Sequence, residues 1–210
     1  MKANIVLYVD SNHASPYALS AYATLMEKGL LFDMVETDLG AGAHHTQDYT
    51  RLSITARVPT LVHGDFSLSE SSAIVEYLEE AFPPPQFPCA LPQDIQQRAM
   101  ARQIQAWIRS DMAALRSERP TWIFHGERRP APLSPQAQQD ADKLLAAAGR
   151  LIDNEGDPLF GAWCIADTDL AVMLNRLVAN GDSVPDKIRR YVHRQWERAG
   201  MADWWQIGQR

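Results

Sequence analysis

Cysteine is nearly absent from this 210-residue chain: Cys89 and Cys164 are the only two. They stand 75 positions apart, so they supply no disulfide framework, no four-ligand zinc site and no CxxC redox pair. Long apolar runs are missing as well. The chain begins with Lys2, six mostly apolar residues from Asn4 to Val9, and then Asp10. That run is too short for a signal peptide or a transmembrane span. Excess positive charge is also missing. Twenty Lys and Arg against 26 Asp and Glu leave a net charge of −6, which argues against a nucleic-acid binder or a polybasic membrane clamp. The expectation is a soluble, cytoplasmic protein with no nucleic-acid partner, no membrane partner and no metal. What is present is an ordinary globular balance, 46% hydrophobic and 22% charged. A chain of this length buries a real core in one or two domains.

The charge is unevenly divided. Residues 1–82 carry four Lys and Arg against eleven Asp and Glu, a net −7; the remainder carries sixteen against fifteen, a net +1. Between them runs a proline-rich stretch from Phe82 to Pro92, which can sustain neither a helix interior nor a central strand. The reading is a first domain over 1–82, a linker over 83–92 and a second domain over 93–210.

The first domain alternates strand and helix signals. Ile5–Val9 reads as a buried strand. Ser15-Pro16 opens a helix that ends at Gly29, a serine cap followed by proline at the first helical position. Leu31–Thr37 reads as a second strand, giving a right-handed βαβ unit. A weak helix within 40–57 follows. Thr60–His63 and Phe66–Leu68, split by Gly64-Asp65, form a hairpin, and Ser71–Phe82 closes the domain as a helix. The order is βαβ–α–ββα. After the linker the strand signals vanish. Asp94–Glu118 reads as one long helix, 134–154 as another, Asp167–Asn180 as a buried helix and Pro185–Arg198 as a further one. Trp204-Trp205 fall in a short tail. The fold class is an α/β domain followed by an all-α domain.

Three segments of the first domain carry chemistry. Ser15 stands at a helix start, where backbone N–H groups and a partial positive charge favour an anion; its ordinary role would be to cap that helix. Val58-Pro59 precedes the hairpin. A cis bond there would leave the preceding backbone free to pair with an extended ligand, whereas a trans edge proline is the common case. Glu70 and Ser71 open the next helix and could hold the ammonium and carboxylate of an α-amino acid; the alternative is a capping box from Ser67 to Glu70.

In this order and frame the segments resemble the glutathione transferases. Ser15-Pro16-Tyr17, Leu68-Ser69-Glu70-Ser71-Ser72-Ala73-Ile74 and Trp163-Cys164-Ile165-Ala166-Asp167-Thr168-Asp169 look like the serine-type, bacterial YfcF-like branch. The resemblance spans the chain and implies a thioredoxin-like amino-terminal domain and a carboxy-terminal helical bundle. It implies that Ser15 donates its hydroxyl to the glutathione sulfur. Val58 would pair by backbone with the cysteinyl part, with Pro59 cis. Glu70 and Ser71 would hold the γ-glutamyl end. Arg57 would reach the glycyl carboxylate, a role for which His44, His45 and Gln47 compete. It further implies a homodimer, with glutathione as co-substrate and a small hydrophobic electrophile or peroxide as partner, in detoxification or oxidative stress. Two departures stand out. Relatives often read Asn-Pro-x-Gly-Lys before the Val-Pro pair, where this chain has Ser53-Ile54-Thr55-Ala56-Arg57. Cys164 also stands where the family's helix-capping hydroxyl usually stands, with Asp167 three residues later to hold the turn through backbone bonds. Two other functions come with the fold: a maleylacetoacetate-type isomerase, whose serine-cysteine signature is lacking at Asn12-His13-Ala14-Ser15, and a non-catalytic ligand carrier, which has no need of Ser15, Glu70 and Ser71.

A free thiol of pKa ~8.5 is about 3% ionised at neutral pH. Lowering it by about two units requires about 2.7 kcal/mol, within reach of one charge-receiving hydrogen bond (about 1.5–3 kcal/mol) aided by a helix end (about 0.3–1 kcal/mol). Because nucleophilicity falls with pKa, the net gain is only about threefold. Most of the acceleration must therefore come from holding the electrophile against the sulfur. The second domain is expected to supply that pocket, from Trp107, Arg109, Trp122 and Phe124. Trp107 could equally be core packing. Arg102, Arg109 and Arg116 recur every seven residues and share a helix face directed at a partner, a cleft or solvent. Neither cysteine lies at the helix-one start, so cysteine-based redox chemistry is not expected.

Overall fold

The computed structural model of the chain describes residues 4–121, 131–153 and 156–208. Its contacts divide into two compact units. One runs to Ala90 and takes in the segment from Ala199; the other is Leu91–Arg198.

The first unit is built on a four-stranded sheet in the order β2-β1-β3-β4. Strand β1 (Ile5–Asp10) buries Ile5, Leu7 and Val9 by simple alternation. Helix α1 (Pro16–Glu27) follows, capped by Ser15 with Pro16 at its first position, and returns the chain to β2 (Asp33–Thr37), parallel to β1. The strand starts two residues later than the sequence implied, and Leu31 is exposed. A short 3-10 turn (Ala43–His45) and α2 (Gln47–Leu52) lead to β3 (Thr60–His63) and β4 (Phe66–Ser69), both antiparallel to their neighbours. Gly64 makes their turn at φ +59°. Helix α3 (Ser71–Ala81) lies next. This is the expected βαβ–α–ββα, thioredoxin-like arrangement.

The proline-rich stretch is clasped to the first unit. Lys28 Nζ donates to the carbonyls of Phe82 (3.0 Å) and Pro88 (2.9 Å) and pairs with Glu79 at 2.7 Å, while Glu79 accepts the Ala90 N–H at 2.8 Å. Both charged side chains are buried.

The second unit holds α4 (Ile95–Ser110), α5 (Ala113–Glu118), α6 (Pro135–Leu151), α7 (Ile165–Asn180) and α8 (Asp186–Trp196). The single helix expected over 94–118 breaks at Asp111-Met112. Met112 takes the left-handed conformation (φ +61°), and Asp111 Oδ1 accepts its N–H. Helix α7 is buried on most sides, as its composition implied. Asp167 holds its start by accepting the N–H of Cys164 (3.0 Å), the N–H of Leu159 (2.8 Å) and the hydroxyl of Tyr191 (2.9 Å). Burial pushes the Cys164 thiol well above its ordinary pKa.

The carboxy-terminal residues are not a tail. Helix α9 (Ala199–Ile207) packs on α1 within the first unit, and Trp204 is fully buried. The second domain was expected to run from 93 to 210; by contacts its last helix belongs with the first unit. Among the described residues, no helix is long and apolar enough to cross a membrane.

Candidate active site

Sheet topology decides which turns meet. Because β3 is antiparallel to β1, its start lies beside the end of β1; because β4 is antiparallel to β3, its end lies there too. The register pairs Tyr8 with Thr60 and Thr60 with Ser69. The loop to Ser15, the Val58-Pro59 bond and the Glu70-Ser71 pair therefore leave the same end of the sheet.

Ser15 both caps its helix and faces a cavity. Its Oγ accepts the Ala18 N–H at 3.2 Å. A cavity of about 530 Å³ is lined by Ser15, Leu39, His44, His45, Thr55, Ala56, Arg57 and Val58. The bond from Ala18 fixes the oxygen and leaves the O–H proton to be donated, and a hydroxyl that accepts is a better donor. The helix end itself offers less than the sequence implied. Pro16 has no N–H, Ala18 is bonded to Ser15, and the buried Asp10 carboxylate takes the N–H groups of Ala14 (2.7 Å) and Ser15 (3.1 Å). An acidic side chain thus already occupies two of the amides at the helix start.

The Val58-Pro59 bond is cis. The β1–β3 ladder ends at Thr60, so Val58 lies beyond it, and its backbone takes part in no loop hydrogen bond among the described residues. The preceding loop keeps its turn without glycine because Ala56 adopts φ +51°. Three hydroxyls converge on the Arg57 carbonyl: Tyr49 (3.0 Å), Ser53 (3.3 Å) and Thr60 (2.9 Å). They hold the backbone rigid while the exposed Arg57 side chain lines the cavity. His44 and His45 line it too, their ring centroids 3.8 Å apart. Gln47 is exposed at the first position of α2 and is not among these lining residues.

Glu70 is the cap residue of α3 at φ +76°, a sparsely populated region for a residue with a side chain, and it makes no side-chain cap bond. Ser67 lies within β4, so the Ser67–Glu70 capping box does not form. Ser71 opens α3 and is buried. Neither Glu70 nor Ser71 is among the residues lining the cavity above; the register puts them at the same end of the sheet.

In the helical unit, Trp107 lines a cavity of about 360 Å³ together with Met100, Ile104, Ala147, Leu151 and Arg150. Its indole N–H is held by Asp111 (3.0 Å), which also pairs with Lys143. Arg109 does not line this cavity; its guanidinium pairs with Asp169 at 2.9 Å, and Asp169 also accepts from Gln105. The arginine stripe is not continuous either, because the break at Asp111 puts Arg116 on α5, where it donates back to the Arg109 carbonyl (2.8 Å). Trp122 and Phe124 lie outside the described residues.

The comparisons with known proteins assign the family. A family model for the glutathione S-transferase amino-terminal domain matches residues 10–86, and one for the carboxy-terminal domain matches residues 94–208. The chain belongs to the glutathione S-transferase family. A structure of a glutathione transferase homologue from Burkholderia with bound glutathione is 46% identical over 97% of both chains, with a TM-score of 0.79. Among curated relatives, glutathione S-transferase 1 of Dianthus caryophyllus is 40% identical over 43% of this chain, and human glutathione S-transferase theta-1 is 32% identical over 62% of it. The matched stretches span 39% and 53% of those two transferases.

Several site residues carried no signal in the sequence. Asp10 read only as the end of an apolar run. The hydroxyls of Tyr49, Ser53 and Thr60 are joined only by folding.

Proposed function

We propose that this transferase binds glutathione at the end of the sheet where Ser15, Val58 and Glu70 emerge, and that the Ser15 hydroxyl donates a hydrogen bond to the sulfur and favours the thiolate. One observation carries the reading: a hydroxyl whose oxygen is fixed by Ala18 opens on the same cavity as Val58 and Arg57. In this reading Val58 pairs by backbone with the cysteinyl part, Glu70 and Ser71 hold the γ-glutamyl end, and Arg57 meets the glycyl carboxylate with His44 and His45 beside it. The glutathione bound in the Burkholderia homologue supports the same ligand. The thiol proton passes to solvent, the sulfur bonds to an electrophilic carbon, and the leaving group departs with its electron pair. With an organic peroxide the thiolate attacks the peroxide oxygen and the O–O bond breaks. The alcohol leaves, and a second glutathione turns the sulfenic product into disulfide and water. The Trp107 cavity is the candidate for the acceptor, without Arg109. The enzyme works as a cytoplasmic homodimer.

Calorimetry with glutathione, followed by turnover with an activated aryl chloride and with an organic hydroperoxide, tests the reading. Binding with turnover of at least one acceptor is expected. No binding at millimolar glutathione would overturn it, and binding without turnover of either acceptor would favour a ligand carrier.

A further inference from the structure

The loop that carries Ser15 is held from the far end of the chain. His13 sits at φ +50°, a left-handed conformation that a residue with a side chain keeps only when its surroundings enforce it. Its N–H donates to the Asp10 carbonyl at 3.0 Å. Its carbonyl accepts the indole N–H of Trp204 at 2.8 Å, across 191 positions of sequence. The two rings meet edge to face at 5.0 Å, and Trp204 also packs on Tyr22 of α1 at 5.1 Å. Helix α9 comes this close because Gly200 has no side chain; a Cβ there would stand 3.3 Å from Met26 Cβ and 3.5 Å from Ala23 Cα. The Asp10 carboxylate grips the next two amides, those of Ala14 and Ser15. The Ser15 loop is thus clamped by a strand end on one side and by a carboxy-terminal helix on the other.

We infer that Trp204 is a positioning residue for Ser15: its indole N–H fixes the His13 carbonyl and, two residues on, the direction of the serine hydroxyl. The inference rests on the proposed thiol activation by Ser15. A misplacement of about 1 Å caused far from the chemistry can cost a reacting group up to about a hundredfold. Closing the clamp is a role for the last helix separate from binding either substrate.

The test compares full-length Trp204→Phe, which keeps an aromatic ring but lacks the N–H, with Met201→Ala, which removes a buried side chain from the same helix and keeps the Trp204 indole N–H that bonds the His13 carbonyl. Thiolate absorbance of bound glutathione is titrated against pH, and kcat and KM are measured. For Trp204→Phe the bound thiol pKa is expected to move toward that of free glutathione, with kcat in mildly acidic buffer falling about three- to tenfold and KM for glutathione changing less than about twofold. Met201→Ala is expected to lower the melting temperature and leave the thiol pKa in place. An unshifted thiol pKa in Trp204→Phe, or an equal shift in both variants, would overturn the positioning role. Ser15→Ala in the same titration separates the two ideas. If it shifts the pKa and Trp204→Phe does not, the clamp alone fails; if Ser15→Ala shifts nothing, the serine assignment fails with it.

Discussion

Replacing Ser15 by alanine has a consequence that changes sign with pH. The Asp10 carboxylate already occupies the amides of Ala14 and Ser15, and in the proposed complex the lowering of the thiol pKa falls to the hydroxyl. One hydrogen bond to a charge is worth about 1.5–3 kcal/mol, a lowering of about one to two pKa units. Taking two units, the bound thiol titrates near ~6.5 in the parent and near ~8.5 in the variant. At ~pH 6 the parent holds about 75-fold more thiolate, and a Brønsted slope of ~0.45 reduces that to about a tenfold rate advantage. At ~pH 7 the advantage is about threefold, and at ~pH 8 the variant is about twofold faster, because its sulfur is the stronger nucleophile and is now substantially ionised. If the hydroxyl also orients the sulfur, the whole profile shifts by a constant factor, but the parent-to-variant ratio still falls about 20-fold from ~pH 6 to ~pH 8. Single-turnover rates with an activated aryl chloride at saturating glutathione measure that ratio. A ratio flat across this range would refute thiol activation by Ser15.

Three further outcomes are expected. Lys28→Ala removes the ammonium paired with the buried Glu79 carboxylate, which keeps only its hydrogen bonds such as that from the Ala90 N–H, and frees the Phe82 and Pro88 carbonyls; denaturant unfolding should show a loss of about 3–5 kcal/mol, and a loss under about 1 kcal/mol would refute the clasp. Asp167→Ala leaves the N–H groups of Cys164 and Leu159 without their acceptor and the Tyr191 hydroxyl with only the longer bond (3.3 Å) to the carbonyl of residue 167, at about 2–3 kcal/mol or more by the same assay; retained stability would mean that α7 does not need this cap. The Lys143 ammonium holds the Asp111 carboxyl down to a pKa of about 2, below the usual ~3.9 of the unfolded chain. The stabilisation is therefore complete above ~pH 4 and fades as pH falls toward ~2, by a small amount because the pair is solvent-screened. In Asp111→Asn the melting temperature should lose this part of its acid dependence, and an unchanged acid slope would contradict it.

Local chemistry made much of the fold legible. Ser15-Pro16 announces a helix start, Gly64-Asp65 a hairpin and the apolar run Ile5–Val9 a buried strand, and all three stand where the residues imply. The departures share a physical cause: partners far away in sequence. Helical periodicity runs straight through Asp111-Met112, and nothing local reveals that Asp111 turns to cap Met112 while holding Lys143 and Trp107. The spacing of Ser67 and Glu70 suits a capping box, but pairing with β3 draws Ser67 into a strand. Arg109 looked free to meet a substrate until folding brought Asp169 to it. Trp204 looked like part of a tail because its partners, His13 and Tyr22, lie near the opposite terminus. The free N–H groups expected before α1 were claimed by Asp10, a residue whose own position looked like a strand end.

In the proposed complex, turns at one end of the sheet hold a tripeptide with its sulfur toward Ser15. A crystal structure with glutathione bound tests it most directly. The sulfur is expected within about 3.5 Å of Ser15 Oγ, with the peptide backbone paired to Val58 and the γ-glutamyl end at Glu70 and Ser71. Glutathione seated elsewhere, or held here with its sulfur turned away from Ser15, would contradict the account.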